Sequence, residues 1–276
     1  MRCENRARWG IRALGATCAL LGLAGWPGPA AAQEGAAQGT QGPAPLAAPF
    51  AAEAALPPAP SIPTFAPGPV VVELYTSQGC SSCPPADAFM EELSKRDDVL
   101  ALALHVDYWD YIGWADVFAS PAHTERQKSY ARAARAKTIY TPQMIVAGRE
   151  RIEGFRPMQV ADLIQDYGLR PSAVEITLER AGEMVRIAAR AEPPLKNAVL
   201  VQLVRYLPEE TVRIERGENA GRTVTYHNIV TSWETVAEWS GRAELTLEAR
   251  AEGGQPVAVI LQNPGPGPIV AAAALR

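Results

Sequence analysis

Cys80 and Cys83 stand three positions apart, with Ser81 and Ser82 between them and Pro84-Pro85 directly after. Two cysteines this close cannot brace a fold, because the loop they would close is too small to remove much chain entropy. That leaves redox chemistry or metal binding. A pair at the start of a helix has a mechanism for the first. The free N–H groups and positive dipole end of the helix stabilise a thiolate, and the thiolate is the reactive species. In that arrangement Cys80 is the exposed nucleophile, and Cys83, a turn into the helix, is the resolving thiol that attacks a mixed disulfide. Pro84 and Pro85 suit a first turn whose N–H groups lack partners. An inert, permanent disulfide remains the plain alternative.

A second group of chemically able residues lies at His105, Asp107 and Asp110. With Cys80 and Cys83, His105 would complete a three-ligand set for copper or zinc. A histidine hydrogen-bonded beneath a loop is the competing reading. Tyr108, Trp109, Tyr111 and Trp114 follow, able to pack that loop and wall the cysteine cleft. His123 and His227 have no assigned role.

The elements that must position these groups start at Val70. Val70–Tyr75 is a buried strand, Pro84–Lys95 a helix, and Val99–Val106 a second strand apolar at nearly every position, as in a parallel strand covered on both faces. His123–Ala136 carries helical spacing. Tyr140-Thr141-Pro142 leads into a strand over Gln143–Ala147, Arg151–Gly154 returns as its hairpin partner, and Met158–Tyr167 is a helix capped by Gly168. The order is β-α-β-α-β-β-α, a mixed sheet with helices on both faces.

On those residues the segment 70–168 resembles a thioredoxin-like domain. More narrowly, the run from Glu73 to Asp87, with His105-Val106-Asp107-Tyr108-Trp109-Asp110 and Tyr140-Thr141-Pro142-Gln143, resembles a secreted bacterial family known as domain of unknown function 1223. The resemblance implies a cis Pro142 opposite the cysteines, leaving the Thr141 backbone free to pair with an extended substrate. It implies a buried acid on the first strand for the resolving cysteine's proton, for which Glu73 is the candidate. It brings no established substrate. Ser81-Ser82 and Gly79 depart from the Gly-Pro and preceding tryptophan of thioredoxin sites, so the direction of electron flow is not carried over. Ser81, Ser82, Trp109 and Tyr140 are the expected cleft residues.

The rest of the chain divides into three. Arg2, Arg6, Arg8 and Arg12 precede an apolar stretch at Ala13–Trp26, and Ala30-Ala31-Ala32 offers small residues for cleavage, so 1–32 reads as a signal peptide. The stretch is too short to span a bilayer, which needs about 20 apolar residues. Cleavage would remove Cys3 and Cys18 and place the protein in the periplasm or outside the cell, where disulfides persist. Residues 33–69, rich in Ala, Pro, Gly and Gln, read as a disordered linker. Residues 169–276 alternate in short β-like runs punctuated by Gly and Pro, the pattern of an all-β sandwich-like domain beside the first.

Net charge is −4 with no long basic run, which argues against a nucleic-acid partner. No phosphate loop, HExxH or Ser-His-Asp order is present. The expectation is an exported thiol–disulfide oxidoreductase. Its partners would be exported proteins or small thiols and a membrane redox partner, and it would need no cofactor. The alternatives are a copper or zinc chaperone or sensor, and a redox-silent interaction module.

Overall fold

A computed structural model describes residues 65–276. The proposed signal peptide and most of the 33–69 linker lie outside the described residues. At the linker's end, Phe65 forms an isolated antiparallel bridge with Ser172.

The seven residues of β1 (Val70–Thr76) are all buried, as are those of β2 (Val99–His105), which runs parallel to it from Val70↔Val99 to Thr76↔His105. On its other side β1 pairs antiparallel with β3 (Gln143–Val146), and β4 (Glu150–Glu153) follows as a hairpin. Three helices connect these strands: α1 (Pro84–Ser94), α2 (Pro121–Ala133) and α3 (Pro157–Gly168). Each opens on a proline, where the missing N–H costs no hydrogen bond. Alternate residues of β1 face opposite ways. Val70, Val72 and Leu74 pack with Met90 and Leu93 of α1 and Val160 and Ile164 of α3. Val71 and Tyr75 pack on the other side, with Tyr130 of α2.

The second half adds β5 (Val174–Ala181), β6 (Met184–Ala191), β7 (Val199–Arg213), β8 (Thr223–Trp239), β9 (Leu245–Arg250), β10 (Val257–Gln262) and β11 (Ile269–Leu275). Four of these do not form a domain of their own. They extend the first sheet into eight strands, ordered β11-β10-β7-β8-β2-β1-β3-β4. The junction is parallel, between Ala103 of β2 and Ile229 of β8. Beside it Asn228, in the left-handed region at φ 51°, turns its carboxamide to the Ala101 carbonyl at 2.9 Å.

The eight-stranded sheet curls. Side chains of β1, β2, β3, β7, β8, β10 and β11 meet in one core that includes Leu102, Ile145, Tyr206, Ile260 and Ala272. Near its two ends, Ile269 N–H donates to the Ala147 carbonyl at 3.0 Å. The smaller sheet, β5-β6-β9, packs on the outer part of the larger one through Val185, Ile187, Val201, Leu203 and Val259. Alternating burial along β5 and β6 reflects one apolar face and one wet one.

The expected architecture, a thioredoxin-like α/β domain followed by an all-β sandwich-like domain, is therefore overturned. The expected order of elements occurs over 70–168, but eleven strands and only three α-helices make up the described residues, and one sheet runs through both halves. Val99–Leu104 is apolar at every position, as suits a strand covered on both faces inside a sheet, and its second edge is paired too. The partner there lies about 125 residues further on, a pairing that local alternation does not encode.

Candidate functional site

The cysteines sit between the end of β1 and the start of α1, joined as a Cys80–Cys83 disulfide. Short turns hold the loop: Gly79 N–H donates to Ser77 Oγ, Cys80 N–H to the Ser77 carbonyl, and Cys83 N–H to the Cys80 carbonyl. Cys83 is the N-cap of α1. Cys80 is only 1% exposed and Cys83 fully buried, while Ser81 and Ser82 face solvent. This corrects the expectation of an exposed Cys80.

Three segments cover the pair. The loop after β2 lays Trp109 and Ile112 on Gly79, where an added Cβ would come within 3.2 Å of both. Trp109 Nε1 donates to Thr141 Oγ1 at 2.8 Å, and Trp114 Nε1 to Gln78 Oε1 at 2.7 Å. The connection between β7 and β8 brings Asn219, whose Nδ2 donates at 2.9 Å to the carbonyls of both Gln78 and Cys80. The third segment carries Thr141-Pro142, a cis peptide with Pro142 buried. Ser82 Oγ stands 3.5 Å from Cys80 Sγ and 3.5 Å from the Thr141 carbonyl, bridging the two.

Beneath the loop lies a polar layer. Asp87 of α1, one helical turn after Cys83, accepts from Thr76 Oγ1 at 2.6 Å. Burial pushes its carboxyl up to about 7, against the opposing effect of the Thr76 hydrogen bond. His105 Nδ1 lies 2.7 Å from Asp116 Oδ2, and the same oxygen accepts from Gln78 N–H at 2.8 Å. Burial acts to raise the Asp116 carboxyl, but the His105 imidazole and the N–H groups of Gln78 and Phe118 outweigh it and hold the group low. The His105 ring lies edge-on to Phe118 and Tyr226, and its Nε2 has no partner.

The family described as "Protein of unknown function (DUF1223)" matches residues 71–262. The chain belongs to that family. A crystal structure of an Agrobacterium tumefaciens protein is similar to it at 33% identity and a TM-score of 0.65, over 76% of this chain and 94% of that one. HBP35 of Porphyromonas gingivalis is similar in fold at 13% identity and a TM-score of 0.57, over 77% of this chain and 76% of its own. No curated protein matches.

In this member of the DUF1223 family the residues singled out from sequence part into two groups. Cys80, Cys83, Ser82, Thr141 and Trp109 come together, and Pro142 adjoins them through Thr141. Tyr140 contributes its carbonyl, which accepts from Gln127 Nε2 at 2.8 Å. Glu73 does not join them. It faces the opposite side of β1 and is held at 0% exposure by Arg126 Nε at 2.7 Å, Arg126 Nη2 at 2.9 Å, Tyr130 at 2.6 Å and Tyr75 at 3.0 Å. Successive strand residues face opposite ways, and Glu73 stands in a buried ion pair with Arg126. The buried acid on the helix that follows the cysteines is Asp87. Its signal was available, since Cys83 and Asp87 are four apart on one helix. His105 is committed to Asp116, and among the described residues no three His, Cys, Asp or Glu side chains are placed to hold a metal ion. Asn219 carried no sequence signal at all.

Proposed function

We propose that Cys80 and Cys83 form a reversible redox couple that exchanges disulfides with the thiols of exported proteins or small thiols. The observation that carries this reading is a closed Cys80–Cys83 disulfide at the start of α1, with a buried carboxyl four residues on in the same helix and Ser82 bridging Cys80 to the Thr141 carbonyl. A substrate thiolate attacks Cys80 Sγ, the Cys80–Cys83 bond breaks, and Cys83 leaves as a thiolate at the helix N-terminus. Asp87, whose carboxyl is raised by burial to about 7, is the donor for that thiolate. The substrate's second thiol then attacks the mixed disulfide, leaving the substrate oxidised and Cys80 and Cys83 as thiols. The reverse sequence reduces a substrate disulfide with the same atoms.

An exported setting fits the basic and apolar pattern of residues 1–32 and leaves no other cysteine in the mature chain. Among the described residues no helix is long and apolar enough to cross a membrane.

The burial of Cys80 favours one competing reading, a redox-silent disulfide in an interaction module. Trapping separates the two. In a Cys83→Ser variant, Cys80 should accumulate mixed disulfides with exported proteins, and the wild-type protein should turn over insulin or a reduced refolding substrate. A variant that traps nothing, from a wild-type protein whose disulfide resists dithiothreitol until it unfolds, would establish the silent reading.

A further inference from the structure

Where the curled sheet opens, α2 does not fill the mouth. Arg126 spans it, paired with Glu73 of β1, donating to Gln262 Oε1 at 3.0 Å, and lying 3.6 Å from the ring centroid of Trp233 on β8. Alongside it a cavity of about 580 Å³ remains, bounded by α2, by β7 and β8, and by the loop after β10. That is within the range of about 300–1,000 Å³ of small-molecule sites. None of its lining residues belongs to the cysteine site.

Two polar atoms of the lining have no partner among the described residues. One is Gln202 Oε1, on a residue only 6% exposed, and the other is Trp233 Nε1. Gln202 pairs with Thr235 across the β7–β8 ladder, and Trp233 is two residues before Thr235, so the two lie on one face. The first is an acceptor and the second a donor. Leaving both buried and unpaired is costly, and a ligand with hydroxyl groups would satisfy both.

Charge narrows the ligand class. No Asp or Glu lines the cavity, while two arginines do. Arg126 is offset by Glu73. Arg132 is not held as tightly: its ion pair with Glu125 is 3.9 Å long, and its side chain is well exposed at the rim. We infer that this cavity is a binding site for small hydroxycarboxylates, the acid group held by Arg132 and the hydroxyls by Gln202 Oε1 and Trp233 Nε1.

Gluconate and sorbitol test this, since they share a hydroxylated six-carbon chain and differ in the terminal acid. Titrated calorimetrically into the full chain without its leader, gluconate should bind and sorbitol should bind at least tenfold more weakly. Arg132→Ala and Gln202→Met should each weaken gluconate at least tenfold. Gln202→Met should melt no lower than wild type, because nothing among the described residues pairs with the oxygen it removes. If Gln202→Met fails to fold, the exposed Arg132→Ala still decides the matter. No gluconate binding at millimolar concentration, equal affinity for sorbitol, or full affinity in Arg132→Ala each overturns the assignment.

Discussion

The carboxamide of Asn219 donates to the backbone carbonyl of Cys80 at 2.9 Å, joining positions 139 residues apart. The same nitrogen holds the Gln78 carbonyl, and Asn219 is only 2% exposed. Asn219→Ala would leave both carbonyls buried without this donor, at a cost of about 1–3 kcal/mol. Urea denaturation should show that loss, and dithiothreitol should reduce the Cys80–Cys83 bond several-fold faster under native conditions. A destabilised variant with unchanged reduction kinetics would remove Asn219 from any role in covering the disulfide.

Asp87 makes stability depend on pH in a defined direction. Its carboxyl is raised to about 7 by burial, from an ordinary value near 4. Between those values the unfolded chain has released this proton and the native protein has kept it. The contribution of Asp87 therefore becomes steadily less favourable as pH rises from about 4 to about 7, and is constant on either side. Asp87→Asn lacks that dependence, and its amide oxygen can still accept from Thr76. The stability of Asp87→Asn relative to wild type should increase between pH 5 and pH 8, measured by chemical denaturation of the oxidised proteins. A difference that does not change with pH would place the Asp87 carboxyl in the ordinary range.

Glu73 and Arg126 should behave as a buried pair. Glu73→Gln leaves a guanidinium facing a neutral amide in a largely dry setting, a loss of about 3–5 kcal/mol, and Arg126→Met should cost a similar amount. Replacing both by methionine should recover much of that loss, read from denaturation midpoints. Disulfide exchange by whatever fraction stays folded should keep its wild-type pH profile. A displaced profile in a stable Glu73→Gln protein would return Glu73 to the cysteine chemistry.

Gly79 is required by what lies on it. A Cβ there would meet Trp109 Cβ and Ile112 Cδ1 at 3.2 Å, so Gly79→Ala should cost about 1–3 kcal/mol by overpacking. Ile112→Ala removes the Cδ1 that the new Cβ would meet, at the cost of the packing its side chain makes. The double variant should be more stable than the sum of the two single losses by more than about 0.5 kcal/mol. Strict additivity would mean that the two residues do not press on each other.

The parts legible in the sequence were those with local causes. Alternation and apolar runs located β1, β2 and the strands of the second half, and Pro84 marked the start of α1, whereas the starts of α2 and α3 at Pro121 and Pro157 were placed two and one residues late. The spacing of Cys80 and Cys83 and the Thr141-Pro142 pair located the centre of the site. What escaped has non-local causes. Nothing in Val99–His105 says that its outer neighbour is Ile229. Nothing in the turn around Gly217 and Gly221 says that Asn219 reaches Gln78 and Cys80. Glu73 lies on the face of β1 that meets Arg126, a partner 53 residues away, while Asp87 stands on regular helix spacing from Cys83. Cys80 reads as exposed because its cover is supplied by Trp109, Ile112 and Asn219, residues remote in sequence.

The remoteness of that cover sets an order of events during synthesis. β1, α1, β2 and the loop bearing Trp109 all emerge long before Asn219 and the strand that pairs with β2. Until then Gln78 and Cys80 lack their amide donor and the β2 edge lies unpaired. The two thiols thus emerge in a half-built neighbourhood, open to any oxidant that meets the growing chain. A disulfide introduced at that stage would afterwards be covered by residues that come later in the chain.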